Sequence, residues 1–378
     1  MKEIDLQEIR GQLDEIDESL VSLFEKRMVL CRDVAEFKLG TGKPVYDGER
    51  EKQKIDAVKA LAGNDFNRQA VQELFSQIMT ISRRLQYGLL AEHEEESPGG
   101  FKRVQELPAK GARIVYQGVE GAYSHGAALQ YFGEDADVYH VRQWEDAMKA
   151  IRDGEADYAV LPIENSTAGM VNDNYDLLVR YDNYIVGETF IPVRHMLLGL
   201  PEAELQDIKT VFSHPQGLMQ CSAYLNAHPE WKQISVENTA VAAKKVLLDH
   251  DVSQAAVASE IAGKLYGLKT LESRISNQKG NTTRFLILSK QPYYREEAGK
   301  ISLCFELPHK SGSLYNLLGN IIYNNLNMFM IQSRPVPDRN WEYRFFVDIE
   351  GNLSDPAVRN AIRGISEEAA YMKILGNY

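Results

Sequence analysis

The sequence predicts a multidomain chain with an all-α module first, an α/β module in the middle and an α+β, ferredoxin-like module last. From Leu6 onward, apolar residues advance by alternating threes and fours, which is the period of an amphipathic helix. After residue 111, short strand-like and helix-like segments alternate, as is typical of α/β folds. From residue 299 the segments follow the order βαββαβ. A chain of 378 residues has room for about two or three domains.

Composition and charge exclude two kinds of partner. The formal net charge of -12 repels nucleic acid at long range. The hydrophobic share of 44% and the charged share of 25% are those of a globular protein, and no apolar run approaches the roughly 20 residues of a membrane span. We therefore expect neither a nucleic acid nor a membrane as partner. An anionic substrate must be bound by local groups of Arg and Lys.

The start of the chain and its cysteines indicate a cytoplasmic protein. Residues 1–5 are acidic and are not followed by a secretory apolar region. The three cysteines, Cys31, Cys221 and Cys304, are odd in number and far apart, so they predict neither a disulfide framework nor a metal site. We expect reduced thiols.

One long first helix is predicted for residues 6–37. Its register places Arg27 where an apolar residue is expected, and such a charge is costly unless an anion faces it. Lys38 lies on nearly the same face, about 16 Å further along the axis. The two cations could close on a small dianion. Arg10 precedes Arg27 by about 25 Å along the axis and lies on a different face. It can therefore bind the same anion as Arg27 and Lys38 only from a second chain.

The second and third helices carry further polar residues at helical spacings. Asp47, Arg50 and Glu51 stand at positions i, i+3 and i+4 of the second helix, although an N-cap followed by a solvated face is the simpler interpretation. In the third helix, Ser82 and Gln86 continue a four-residue row that begins with apolar residues. Polar residues thus occupy core positions.

These residues at these spacings resemble the all-helical class of chorismate mutase, over residues 1–92. The resemblance implies a unimolecular rearrangement that needs no covalent step and no cofactor, only orientation and electrostatic complementarity to the transition state. The implied substrate ligands are Arg10 of the partner subunit, Arg27 and Arg50 for the carboxylates, Lys38 and Gln86 for the ether oxygen, Asp47 and Glu51 for the ring hydroxyl, and Ser82.

Residues 93–110 are predicted to be a linker, because an acidic run is followed by Ser, Pro and Gly. In the α/β module that follows, three polar segments lie where strands and helices join: residues 118–124, 163–169 and 213–216. Ligands of open α/β sheets bind at the carboxyl ends of strands. Each segment alone is also explained by a structural turn or a helix cap.

A fourth polar segment, Asn281 to Arg284, precedes the apolar run 285–288, which is predicted to be a buried strand. We expect the polar residues to lie in a loop at the start of that strand. An Arg fork beside hydroxyl donors suits a carboxylate that also carries a leaving hydroxyl group. A plain turn before a strand is the alternative.

Together the four segments resemble prephenate dehydratase, over residues 111–291. The resemblance implies two α/β lobes with the active site in the cleft between them. Thr283 would then assist departure of the ring hydroxyl as carbon dioxide leaves, and His214 remains a rival for that role. The other implied site residues are Asn165, Ser213 and Gln216, which orient the substrate, and Arg284, which holds a carboxylate.

The last module, residues 299–378, resembles an ACT domain. Two segments carry this resemblance, and both depart from the usual pattern, since Ser313 replaces Ala and Gln332 replaces Glu. A purely structural dimerisation module is the alternative. The implied effector-binding residues are Gly312, Ser313, Leu314, Tyr315, Gln332, Ser333, Arg334 and Pro335.

The chain as a whole resembles the bifunctional chorismate mutase/prephenate dehydratase family. The resemblance implies chorismate and prephenate as substrates, phenylalanine as effector, a homodimer or higher homo-oligomer, and neither cofactor nor metal. A non-catalytic small-molecule sensor with an ACT domain is the alternative of another class, but the intact polar set argues against it. A mutase fused to a dehydrogenase would need a Gly-x-Gly-x-x-Gly fingerprint, which the sequence lacks.

Overall fold

The computed structural model describes residues 5–91, 98–337 and 339–378. Most of the acidic start of the predicted linker lies outside the described residues, as do residues 1–4. The chain forms two compact units: Met1–Gly100 with Leu303–Lys373, and Phe101–Ser302 with Ile374–Tyr378. The first and last modules of the sequence therefore share one unit. The three-domain division at residues 92, 111, 291 and 299 stays a prediction.

The N-terminal module consists of helices, as predicted. The long first helix is confirmed: it begins after Asp5, whose carboxylate accepts the Gln7 N–H at 2.9 Å, and it ends at Gly42, which has φ of 67°. The helices are α1 (Leu6–Thr41), α2 (Gly48–Ala60) and α3 (Asp65–Ala91).

The middle of the chain alternates strands and helices, which confirms the predicted α/β class. Its elements are β1 (Lys102–Val104), β2 (Arg113–Gln117), α4 (Tyr123–Phe132), β3 (Asp137–Val141), α5 (Trp144–Asp153), β4 (Tyr158–Asn165), β5 (Gly169–Met170), α6 (Asn172–Arg180), β6 (Tyr184–Pro192), β7 (His195–Gly199), β8 (Thr210–Ser213), α7 (Pro215–Gln220), α8 (Ser222–Asn226), β9 (Lys232–Ser235), α9 (Thr239–Asp249), β10 (Gln254–Ser259), α10 (Glu260–Leu265), β11 (Lys269–Glu272), β12 (Thr282–Ser289) and β13 (Tyr293–Arg295).

Two sheets form the two lobes of the second unit. One contains the strand order β6, β12, β4, β2, β3, and the other has the order β11, β7, β10, β8, β9. The chain passes from the first lobe to the second between β6 and β7 and returns between β11 and β12. The cleft between the lobes lies beside both crossings, where ligands of such folds are expected.

Strand β12 lies in the middle of the first lobe, antiparallel to both β4 and β6. Residues 285–288 are buried, which confirms the predicted buried strand. Of the polar residues before them, Asn281 lies outside the strand as expected, but the other three do not lie in a loop. Thr282, Thr283 and Arg284 already belong to β12, because β4 and β6 extend far enough to pair with them, and Thr283 stands opposite Asn165.

The last module has the predicted βαββαβ order, with its four strands arranged β15, β16, β14, β17 in the sheet. The C-terminal residues of β17, from Ile374 onward, belong to the second unit, where Gly376 pairs with Ile185 on β6. The elements are β14 (Lys300–Glu306), α11 (Ser313–Ile322), β15 (Met328–Pro335), β16 (Tyr343–Glu350), α12 (Pro356–Glu368) and β17 (Tyr371–Asn377).

Helix α3 joins the helical module to the last module within the first unit. The Asn360 amide on α12 donates to the Arg84 carbonyl at 3.2 Å. The Arg84 guanidinium lies 3.4 Å from the centroid of the Tyr323 ring, which is a close cation–π contact. Tyr87 is buried and donates its hydroxyl hydrogen to Glu367 on α12. One face of α3 therefore packs against the last module.

In the parts of the chain that the structure describes, no helix combines the length and the apolar character that a membrane crossing would require.

Candidate functional site

A cavity of about 1030 Å³ lies among α1, α2 and α3 in the first unit. Helical periodicity brings its polar lining together, because residues three, four or seven positions apart share a helix face. All the predicted mutase residues except Arg10 line this cavity. They are Arg27, Lys38, Asp47, Arg50, Glu51, Ser82 and Gln86.

Arg27 lies in the seam between α1 and α3. Its Nη1 donates to the Ser82 hydroxyl oxygen and lies 3.7 Å from the Cys31 sulfur. The Ser82 hydroxyl in turn donates to the Ile78 carbonyl at 2.6 Å. Both partners of Arg27 are neutral, so its positive charge can still bind an anionic ligand.

Lys38 and Gln86 supply hydrogen-bond donors to the same cavity. Lys38 Nζ donates to the Val45 carbonyl at 2.7 Å. Burial lowers the pKa of Lys38, and the carboxylates of Asp47, Glu367 and Glu51 oppose that shift. Gln86 is buried, its Nε2 donates to the Ser82 carbonyl at 3.2 Å, and its Oε1 has no hydrogen-bond partner among the described residues. An unsatisfied buried amide is costly and is ready to be satisfied by a ligand.

The carboxylates of α2 already have protein partners. Asp47 caps α2 and accepts the Arg50 N–H at 3.1 Å, so the simpler interpretation of this position as an N-cap is correct as far as it goes. Glu51 forms an ion pair with Arg83, which also contacts Glu368 at 3.2 Å. Sequence reasoning missed Arg83, although its three-residue spacing from Gln86 on α3 could have identified it.

Arg10 lies outside the cavity, on an exposed face of α1. Along the same helix a row of apolar side chains is exposed, with Leu23 at 63% and Leu30 at 64% of full exposure. The other exposed members are Leu6, Ile9, Leu13, Ile16, Leu20, Val21, Val29, Val34, Phe37 and Leu39.

A cavity of about 240 Å³ lies in the cleft of the second unit. Gln216, which sequence reasoning selected, lines it together with Gln220, which was missed although the two stand four residues apart on α7. The complete lining is Thr167, Ala168, Gln216, Met219, Gln220, Ser276, Asn277, Gln278 and Asn281.

Asn165 and Thr283 meet beside this cavity, at the ends of β4 and β12. The Asn165 Nδ2 donates to Thr283 Oγ1 at 2.9 Å and to the Asn281 side-chain oxygen at 2.8 Å. Because the Thr283 oxygen accepts a hydrogen bond there, its own hydrogen is free to point elsewhere. Thr283 is partly exposed.

Ser213 and His214 occupy structural positions at the start of α7. Ser213 is fully buried and its hydroxyl donates to the Val257 carbonyl at 2.7 Å, so it does not reach a substrate, contrary to the expectation. The Nδ1 of His214 accepts the Gln216 N–H at 3.2 Å and caps α7. The small residue Gly217 leaves room for the Ser213 hydroxyl.

Arg284 also differs from the expectation. It is buried, its Nε donates to the Glu188 carboxylate at 2.7 Å and its Nη2 donates to the Tyr378 hydroxyl at 2.8 Å. Lys300 binds the other Glu188 oxygen at 2.6 Å. The carboxylate that Arg284 holds in this structure is therefore one from the protein itself. Adjacent side chains of a strand point to opposite faces, so Arg284 is directed away from the side of Thr283.

The predicted effector-binding residues surround the start of α11 and strand β15. Gly312 precedes α11 with φ of 80°, a conformation that glycine adopts without strain. Tyr315 is exposed on the first turn of that helix. Gln332 lies on β15 and donates its amide to the Ser333 carbonyl at 3.2 Å. β15 stands at one end of the strand order.

Comparisons with known proteins identify two families along the chain. Residues 9–87 match the chorismate mutase type II family and residues 114–293 match the prephenate dehydratase family. The bifunctional chorismate mutase/prephenate dehydratase of Enterobacter agglomerans is 33% identical over 376 residues, which is 98% of this chain and 95% of that protein.

Two solved structures resemble about 70% of this chain. The prephenate dehydratase of Arthrobacter aurescens in complex with L-Phe is 27% identical and has a TM-score of 0.65, covering 70% of this chain and 89% of that one. GqqA, described as a novel type of quorum quenching acylase, is 31% identical with a TM-score of 0.65, covering 70% of this chain and 97% of that one.

A helical mutase cavity and an α/β dehydratase cleft on one chain define an enzyme with two activities. The chain belongs to the bifunctional chorismate mutase/prephenate dehydratase family. It rearranges chorismate to prephenate and converts prephenate to phenylpyruvate, two steps of phenylalanine biosynthesis. The predicted family and activities are confirmed.

Glu367 of α12 lies close to the mutase cavity and is half-buried. Burial raises its pKa from the ordinary 4.5 to about 7, with Arg83 and Lys38 opposing the shift and Glu51 and Glu368 reinforcing it. Together with Lys38, Tyr87 and Arg363 it lines a second cavity of about 350 Å³. A carboxyl group with such a pKa changes charge near neutral pH.

Glu367→Gln should reduce the pH dependence of thermal stability. Since the folded-state pKa lies above the unfolded value, Glu367 favours folding most at pH values below the unfolded pKa, and this contribution is lost as the pH rises through about 7. The Tm of the wild type should therefore fall more between about pH 5.5 and 8 than the Tm of Glu367→Gln. Glu49→Gln, on an exposed position of α2, is the control. Equal falls in wild type and Glu367→Gln would contradict a raised pKa.

Proposed function

We propose that the mutase active site is the cavity among α1, α2 and α3, completed by Arg10 of the partner subunit in a homodimer. The carrying observation is that the other seven predicted residues line one cavity while Arg10 lies outside it. Arg10 and Arg27 lie on the same continuous helix, about 25 Å apart along its axis, so one chain cannot bring both to one ligand.

In this site the cations hold the two carboxylates of chorismate. Arg27 and Arg50 act from one chain and Arg10 from the other, each able to bind a carboxylate through two N–H groups. Lys38 and the Gln86 amide donate to the ether oxygen, which gains negative charge as the C–O bond breaks and the new C–C bond forms. Stabilising that charge, and holding the substrate folded, accelerates the unimolecular rearrangement without a proton transfer.

The exposed apolar row on α1 supports the homodimer. Contiguous apolar surface of this length is rare on monomers and marks an association surface. A second copy of α1 would cover the row and would bring its own Arg10 toward the cavity. Symmetric pairing would then create two equivalent sites in each dimer.

Mixing two inactive variants tests the shared site. Arg10→Ala and Lys38→Ala should each lose most mutase activity, and co-refolding them should restore about a quarter of wild-type activity, because half the dimers are mixed and each mixed dimer has one intact site. Refolding each variant alone is the control. Absence of recovery in dimers verified as mixed would refute the shared site.

For the dehydratase, we propose that Thr283 donates a hydrogen bond to the departing ring hydroxyl. The Asn165 amide occupies the acceptor side of the Thr283 oxygen, so its hydrogen is available to the substrate. In the reaction the carboxylate C–C bond breaks, its electron pair enters the ring, and the C–O bond to the hydroxyl breaks. Carbon dioxide leaves, and the hydroxide takes a proton to become water. Aromatisation drives the step.

Other groups of the cleft have supporting roles in this proposal. Gln216, Gln220 and Asn281 offer amides to the substrate. Ser213, just before α7, holds its place through the hydrogen bond of its hydroxyl to the Val257 carbonyl. Arg284 keeps a structural role, because its Nε and Nη2 are bonded to Glu188 and to the Tyr378 hydroxyl.

Thr283→Ala should lower dehydratase kcat by about 10² to 10⁴ and leave mutase activity unchanged, so that prephenate accumulates from chorismate. Thr282→Ala is the matched control, since the same side chain is removed one position away, on the opposite face of β12. Near-normal turnover of Thr283→Ala with loss of turnover in His214→Ala would assign the acid to His214.

We further propose that the last module is an ACT domain through which phenylalanine inhibits the dehydratase. The βαββαβ order, the left-handed Gly312 before α11 and the end position of β15 support it. The related dehydratase solved in complex with L-Phe supports phenylalanine as the ligand class. Phenylalanine would bind between two copies of the module, near Gly312 to Tyr315 of one and Gln332 to Pro335 of the other.

Titrating phenylalanine at fixed prephenate tests this control, with Gln332→Glu measured beside the wild type. We expect inhibition of the wild type, and tighter binding in Gln332→Glu, because the variant restores a carboxylate that the amide lacks. Each tenfold shift between the active and inhibited states requires a difference in binding of about 1.4 kcal/mol. If the wild type shows neither binding nor inhibition at millimolar phenylalanine, the module has only a structural role.

A further inference from the structure

The orientation of the Asn165 side chain is fixed by the backbone. Its Oδ1 accepts the N–H groups of Thr167 at 3.1 Å and of Ala168 at 2.9 Å. Those groups can only donate, so the oxygen must face them and the Nδ2 must face Thr283. The Thr167 hydroxyl, 2.8 Å from the same Oδ1, must therefore donate to it.

The same direction from donor to acceptor can be followed across the cleft into the second lobe. With its hydrogen given to Asn165, the Thr167 oxygen is an acceptor, and the Gln220 Nε2 approaches it at 3.4 Å. The Gln220 amide thus turns its Oε1 the other way, where it lies 2.9 Å from the Nε2 of His195. A carbonyl oxygen can only accept, so the His195 Nε2 must carry a hydrogen.

His195 lies on β7 and is only 3% exposed. Its Nδ1 lies 3.1 Å from the Tyr123 hydroxyl, which is also 3.1 Å from the Arg194 carbonyl. Burial lowers the pKa of His195, so the ring is neutral near pH 7 and has one hydrogen, which the preceding argument places on Nε2. Nδ1 is then an acceptor, and the single Tyr123 hydroxyl hydrogen lies between it and the Arg194 carbonyl, each 3.1 Å from the hydroxyl oxygen.

We propose that His195, held by Tyr123, is a positioning residue of the dehydratase, acting through Gln220, Thr167 and Asn165 on the hydroxyl of Thr283. These residues form a row of hydrogen bonds, which runs from His195 on β7 through Gln220, Thr167 and Asn165 to Thr283 on β12. Every donor in it points toward Thr283. Hydrogen bonds in such a row polarise one another, and reversing one link would leave two donors or two acceptors facing each other. The row ends with the Thr283 hydrogen directed away from Asn165.

The row also joins the two lobes at two places. Tyr123 belongs to α4 of the first lobe and contacts His195 of the second, and Gln220 of the second lobe contacts Thr167 of the first. The inference rests on the proposed dehydratase site, since Gln220 and Thr283 are placed there. It adds His195 and Tyr123, which do not line the cavity.

Two substitutions of His195 separate positioning from packing. The amide nitrogen of His195→Gln can take the place of Nε2 and keep the donor to Gln220, whereas the shorter His195→Asn reaches only the place of Nδ1. We expect His195→Asn to lower dehydratase kcat by about 10 to 100-fold with little change in KM, and His195→Gln to stay within about threefold of the wild type. The Tm of each variant reports folding, and the mutase activity, whose proposed site lies in the other unit, should be unchanged.

The double variant His195→Asn/Gln220→Ala tests whether His195 acts through Gln220. We expect it to lose no more activity than Gln220→Ala alone, because residues of one hydrogen-bonded row are not additive. Independent, multiplying losses would overturn the inference, and so would equal effects of His195→Asn and His195→Gln. If Gln220→Ala kept full dehydratase activity, the proposed site itself would be wrong.

Should both His195 variants misfold, Tyr123→Phe replaces them, since it removes one oxygen atom from a buried ring. The variant removes the hydroxyl that contacts His195 Nδ1, so the imidazole ring is held only through Nε2, and dehydratase kcat should fall severalfold with mutase activity intact. Unchanged dehydratase kcat in Tyr123→Phe would overturn the role of the pair.

Discussion

The register between β4 and β12 determines the proposed dehydratase site, because it places Asn165 opposite Thr283. A slip of one residue would exchange the faces of Thr283 and Arg284, and the amide would then meet a guanidinium. The register shifts between Arg284 and Phe285, where β4 has Ile163 as an extra residue. This bulge lets the polar end and the buried run of β12 each pair with matching residues of β4.

Helix α3 has a comparable role in the first unit, where its two faces meet different modules. Ser82 and Gln86 face the mutase cavity, while Arg84 and Tyr87 contact the last module. Arg83 lies between these faces, bound to Glu51 on one side and to Glu368 on the other. Through Arg83 and α3, helix α12 is thus connected to the residues that line the cavity of the helical module.

Periodicity in the sequence was sufficient to predict the positions of residues that one helix or one pair of helices brings together. The face shared by Arg27 and Lys38, and the buried position of Ser82, follow from residue spacing alone. Arg284 could not be placed in this way. Its partner Glu188 is 96 residues away on β6, a strand that the sequence pattern did not reveal. Likewise, a motif locates Ser213 beside a cleft, but only tertiary packing decides that its hydroxyl points into the core.

The contact between Gln220 and Thr167 is the longest in the row from His195 to Thr283, at 3.4 Å, and it spans the cleft. Separation of the lobes to release phenylpyruvate would stretch this contact before the shorter ones. The Thr167 oxygen would then accept from water in place of Gln220, while Asn165 would keep its orientation through the N–H groups of Thr167 and Ala168. A wider, water-filled cleft would thus divide the row at the Gln220–Thr167 contact, with the part from Thr167 to Thr283 intact in the first lobe and the part from His195 to Gln220 in the second.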